Sequence, residues 1–104
     1  MRAVKSLATL ANCAALHDVT LFLRLAPKTV PIFIACDEAV ERHLKTQTRL
    51  AGEHVHFVRC LDRYAGKNRA QMVHEKTWSD FMLCKRFAMQ AAFEAGHDNC
   101  LFLD

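Results

Sequence analysis

Short apolar runs bounded by turn residues recur along this chain, and between them apolar positions repeat at helical spacing. The clearest run is Thr29 to Cys36, TVPIFIAC, whose Val, Ile and Phe content favours a strand. Pro31 has no backbone donor and so belongs near the start of that strand. His54 to Cys60, HVHFVRC, alternates and predicts a second short strand. Cys100 to Leu103 is an unbroken apolar run after the turn residues Asp98 and Asn99, the pattern of a strand covered on both faces. Ala3 to Leu10 is open. Val4, Ser6 and Ala8 alternate with Lys5, Leu7 and Thr9, which suits either a strand or the start of a helix, with Asn12 as the turn residue that follows.

Three helices are expected between these runs. In Ala14 to Ala26, Leu16, Val19, Phe22 and Leu23 share a face, and Pro27 stops the helix. Asp37 to Gly52 opens with acids and ends with Arg49 and a glycine stop, the charge order a helix dipole prefers, with Val40, Leu44 and Thr48 as its inner stripe. Leu61 to Val73 is polar and irregular and reads as a loop. Lys76 to Gly96 reads as one long helix with Phe81, Cys84, Ala88, Ala91 and Ala92 along one face. The resulting order, strand–helix–strand–helix–strand–loop–helix–strand, predicts an α/β fold with a largely parallel sheet, in a single domain over residues 1–104.

Composition narrows this without changing it. The chain is 52% hydrophobic and 24% charged, with only three Gly and two Pro, so long linkers and disorder are not expected. No apolar run reaches the roughly 18 residues of a membrane span. The opening MRAVKSLATLANCAAL weakly imitates a signal peptide, but Lys5, Ser6, Thr9 and Asn12 interrupt its apolar stretch, so a cytoplasmic protein is expected. Five cysteines, an odd number with no CxxC pair, argue against a disulfide framework or a zinc knuckle and for buried free thiols. The formal charge of +3 suits an anionic ligand without requiring nucleic acid, and no nucleic-acid partner is expected.

Each candidate for chemistry has a plain structural reading beside it. Asp104 follows the last apolar run, and ligands of open parallel sheets bind outside the strands' carboxyl ends, where a carboxylate suits a hard divalent cation. Asp37 and Glu38 also follow a buried strand. With Asp104 they would suit a receiver-like phosphoacceptor domain, whereas alone they suit the cap and first turn of a helix. His54 and His56 share a strand face but have no third metal ligand nearby. Arg59, Arg63, Lys67 and Arg69, with Tyr64, make a basic loop that could meet phosphates or serve as the contact surface of a non-catalytic interaction module, or simply be solvated. The GxxxxGK[ST] phosphate loop is absent. Lys85, within an apolar helix, calls for an anionic partner or a route to water, and Trp78 and Phe81 suit a core or a pocket rim.

The final stretch, FMLCKRFAMQAAFEAGHDNCLFLD, resembles the segment leading into the DxD motif of GT-A glycosyltransferases, where a lysine-bearing helix with an Ala-rich stretch precedes a strand of the form xLFLDAD. SLATLANCAALHDVTLFLRLAP is similar to the first strand, nucleotide loop and first helix of such enzymes, and VPIFIACDEAVERHL to their second strand and helix. The resemblance covers nearly the whole chain, with only the first Asp of DxD present. It implies a Rossmann-like sheet, an incomplete GT-A fold, with the opening segment as strand 1 beside the final strand. It further implies that Thr9 and Asn12 line a nucleotide-sugar site, that Lys85 neutralises the diphosphate or contacts the donor sugar, and that Asp104 binds the ribose or the metal. The implied cofactor is manganese or magnesium, and the implied partners are a UDP- or GDP-sugar and an acceptor. The acceptor-binding half lies outside the resemblance, so the chain is expected to be a fragment without turnover, with an exposed sheet edge that favours self-association.

Overall fold

The computed structural model describes residues 4–103. Within them four strands form one all-parallel sheet: β1 (Leu7–Ala11), β2 (Ile32–Cys36), β3 (Val55–Arg59) and β4 (Leu101–Phe102), in the spatial order β3-β2-β1-β4. The opening segment is therefore a strand. Leu7 pairs with Ile32 of β2 on one side and with Leu101 of β4 on the other, so the first and last strands are neighbours. Pro31 sits just ahead of β2, where its missing N–H costs nothing, and its carbonyl accepts from the N–H of Leu7 at 2.9 Å.

Position in the sheet explains the two kinds of apolar pattern. All five residues of the interior strand β2 are buried, because helices cover both faces. On the edge strand β3 only Val55 is fully buried, which is why it alternates. One face carries Leu7, Ala11, Ile32, Ile34, Cys36 and Val55 under α1 (Leu16–Leu25) and α2 (Glu38–Lys45), whose Val19, Leu23, Val40 and Leu44 are buried. The other carries Ala8, Phe33 and Ala35 under Ala88 and Ala92 of α5 (Lys85–Glu94). Each such large side chain contributes about 1.5–3 kcal/mol on burial.

Three expectations from the sequence are corrected. The second helix ends at Lys45 rather than Gly52, leaving Thr48 outside it. Thr46 donates its hydroxyl to the His43 carbonyl at 2.6 Å, the acceptor that a continuing helix would use. The expected loop over Leu61–Val73 holds a 3-10 turn (Asp62–Tyr64) and the start of a helix, α3 (Arg69–His74), capped by the Asn68 side chain on the N–H of Gln71 at 2.8 Å. The expected long helix over Lys76–Gly96 is two: α4 (Trp78–Leu83) and α5. They part at Cys84, whose thiol donates to the Asp80 carbonyl while its own N–H turns to Phe81. Between β3 and β4 there are thus three helices where a simple strand–helix repeat has one.

Candidate functional site

Beyond the carboxyl ends of the strands, side chains tie three loops together. Asp37 directly follows β2 and is fully buried. Its Oδ1 accepts from the N–H of Val40 at 2.9 Å, capping α2, and its Oδ2 accepts from the N–H of Cys13 at 2.7 Å, fixing the loop after β1. Asn12, also buried, donates through Nδ2 to the carbonyls of Tyr64 at 2.9 Å and Lys67 at 2.7 Å. Gly66 donates its N–H to Cys13 Sγ at 2.9 Å and has φ 74°, a turn conformation that side chains rarely adopt.

These braces shape a cleft of about 500 Å³ at the exit of β1, within the usual size range of small-ligand sites. Its apolar floor includes Leu10, Met72 and Phe81. One wall, from the start of α1, presents Asp18, and the wall built by α3 and α4 presents Lys67, Asn68, Arg69 and Trp78. The half-buried Trp78 indole stacks on Phe81, with ring centroids 5.5 Å apart, and Phe81 meets the Tyr64 ring edge-on at 5.4 Å. The Arg69 guanidinium lies 5.3 Å from the Trp78 centroid and makes no ion pair among the described residues. Lys67 is paired with Glu75 at 3.0 Å.

The residues expected to form the site fall in two places. Asn12 lines the cleft, but both hydrogens of its amide nitrogen are taken by carbonyls, so only its oxygen is left for a ligand. Thr9 is buried outside the cleft lining and donates its hydroxyl to the Leu103 carbonyl at 2.8 Å, a strut between β1 and the exit of β4. Lys85 is exposed, opens α5 rather than sitting within a long helix, and holds its ammonium 5.5 Å from the Phe102 centroid. Thr9 and Lys85 thus meet the last two described residues of the chain. Asp104, the sharpest expectation from the sequence, lies outside the described residues.

Other candidates have structural partners. The Asp37–Glu38 pair is not an open acidic site: Asp37 is buried on two backbone donors, and the exposed Glu38 carboxylate faces Arg42 at 3.7 Å. Of the basic loop, Arg59 is bonded to Asp62 at 2.9 and 3.2 Å and lies 3.5 Å from Glu41, while Arg63 rests on Tyr64. The Arg59 guanidinium, helped by the Glu38 N–H, holds the Asp62 carboxyl below the usual range, and Lys45 does the same for Glu41. His56 stacks on Phe33 with centroids 4.8 Å apart. The cysteines are free, and burial pushes the Cys36 thiol up to about 12 and Cys60 to about 11. Among the described residues no three His, Cys, Asp or Glu are grouped to hold a metal ion, and Asp104, the expected metal ligand, lies outside them. No helix of the described residues is long and apolar enough to cross a membrane.

The polar cleft residues missed from sequence were Asp18 and Asn68. Asn68 carried a signal, an Asn followed by Arg, Ala, Gln and Met, as an N-cap before good helix formers. Comparison of the chain with models of protein families, with curated proteins and with solved structures gives no match.

Proposed function

We propose that this chain is the nucleotide-sugar-binding half of a glycosyltransferase of the GT-A kind, its sheet the Rossmann-like opening of that fold. The complete enzyme would move a sugar from a UDP- or GDP-sugar to an acceptor. The observation that carries this reading is one juxtaposition. The strand bearing LFL runs parallel beside β1, and a cleft opens at the exit of β1. Because β2 and β4 flank β1 on opposite sides, that exit is a switch point of the sheet, where α/β proteins bind nucleotides.

In this reading the base enters the cleft and stacks on Trp78 in place of the Arg69 guanidinium, and the diphosphate runs toward the exit of β4. The exposed ammonium of Lys85 neutralises phosphate charge there, and Asp104, next in sequence after Leu103, contributes a carboxylate to the ribose or to a metal. A divalent cation, when bound, would offset charge on the leaving diphosphate. Thr9 and Asn12 act as braces that hold the two strand exits in place.

Calorimetric titration with UDP and GDP, each with and without manganese, tests this. The expected result is metal-dependent binding, weakened in Asp104→Ala and Lys85→Ala, without sugar transfer by the 104-residue chain. A folded, monodisperse sample that binds neither nucleotide would overturn the reading and leave an interaction module in its place.

A further inference from the structure

We propose that the cleft selects guanine over uracil and that Asp18 makes the selection, an inference that rests on the nucleotide-binding reading above. Asp18 stands in the first turn of α1 and lines the cleft. Its carboxylate is exposed and has neither a hydrogen-bond nor an ion-pair partner among the described residues. The other charged groups of the cleft are engaged: Lys67 with Glu75, and Arg69 with the face of Trp78.

An ionised carboxylate only accepts, through two oxygens side by side. Guanine alone among the common bases offers two adjacent N–H donors on one edge, from N1 and the 2-amino group. Uracil offers one N–H between two carbonyl oxygens, so it gives a carboxylate one hydrogen bond and sets a carbonyl against its second oxygen. Adenine and cytosine each set a ring-nitrogen acceptor next to their amino group. A single unpaired carboxylate in the same cleft as an aromatic surface therefore favours guanine over the other three bases. The Trp78 indole supplies the flat surface once a base displaces the Arg69 guanidinium from its face, and the charges of Arg69 and Lys67 on the α3–α4 side keep the phosphates away from Asp18. A bidentate, charge-assisted contact of this kind is worth a preference of about tenfold or more.

Trp78 is the chain's single tryptophan, so its emission reports directly on the cleft. The experiment titrates the protein with GDP, inosine 5′-diphosphate and UDP in the presence of magnesium, following that emission. The same titrations are repeated on Asp18→Ala, whose exposed position spares the fold and whose thermal midpoint confirms it. GDP is expected to bind about tenfold more tightly than UDP. Inosine diphosphate, lacking the 2-amino group, is expected to fall between them, and Asp18→Ala to bring all three together. UDP binding as tightly as GDP would overturn the selection. A GDP preference that survives in Asp18→Ala would overturn the role of Asp18. Failure of all three nucleotides to bind, by emission and by calorimetry, would bring down the nucleotide reading itself and the inference with it.

Discussion

Residues 7–59 and residues 60–96 are built by different rules. The first stretch is β1–α1–β2–α2–β3, strand and helix in turn, each strand laid parallel beside the one before it, with β1 and β2 buried under helices. The second holds a 3-10 turn and three helices; α5 covers the sheet, while the other two, of only six residues each, surround a small separate core of Leu61, Tyr64, Met72, Phe81 and Cys84. Six-residue helices are far too short to persist alone in water and depend on that small core. Yet this second stretch supplies most of the cleft, including Lys67, Asn68, Arg69 and Trp78. A repetitive platform fixes where a ligand can sit, and an irregular, locally weaker segment forms the wall that would hold it, as is usual for binding regions.

The largest effect is expected where the platform's loops are tied together. Asp37→Ala removes a buried carboxylate from the N–H groups of both Val40 and Cys13, leaving a helix cap and a loop donor unmet. A cap is worth about 1 kcal/mol and a charge-assisted hydrogen bond about 1.5–3 kcal/mol, so a loss of about 3 kcal/mol in urea unfolding is expected. Asp37→Asn, which keeps one acceptor oxygen, should lose less. Equal losses in the two variants would mean that the carboxylate acts through packing rather than through its two acceptors.

The wall should respond differently. Met72 is buried in the small core between α3 and α4. Truncation of such a side chain costs at least about 2 kcal/mol, which corresponds to about thirtyfold faster amide exchange where the loss is felt. In Met72→Ala that acceleration is expected in α3 and α4, while the amides of β1 and β2 keep their protection. Uniform acceleration across the sheet would show that the two stretches open as one unit and would erase the contrast.

The same division decides what could be read from the chain before its fold. The strands β2 and β3, the helix α1 and the parallel arrangement follow from burial on one or two faces, which leaves a direct trace in apolar periodicity. The pairing of β1 with β4 came from a family resemblance, not from the ambiguous residues 3–10 themselves. The breaks were hidden because they depend on hydrogen bonds no periodicity encodes: the Thr46 hydroxyl on His43, and the Cys84 thiol on Asp80. The cleft was hidden because Asn12 and Tyr64 are far apart in sequence and meet only when the loops close over β1. Trp78 and Phe81 could be suspected as a rim, whereas nothing local distinguishes Asp18 from any acidic residue in a first helical turn.

The smallest effect compares two helix ends that share a geometry and differ in residue. After α5, Gly96 has φ 97° and the N–H groups of Gly96 and His97 return to the carbonyls of Phe93 and Ala92 at 3.0 and 3.1 Å. After α3, Lys76 has φ 61° and the N–H groups of Lys76 and Thr77 return to Val73 and Met72 at 3.1 and 2.8 Å. Both ends are the same left-handed stop, which glycine enters freely and a side chain enters at about 1 kcal/mol. Nothing lies within 4 Å of a Cβ added at Gly96, so Gly96→Ala should lose about 1 kcal/mol through backbone conformation alone. Lys76→Gly should gain about 0.5–1 kcal/mol, since relief of the left-handed strain exceeds the added freedom of the unfolded chain. Both are read from thermal or urea midpoints. A Lys76→Gly variant that is less stable than the parent would mean that the lysine stem covers apolar surface on the wall, so that the wall holds its stop by packing where the end of α5 uses glycine.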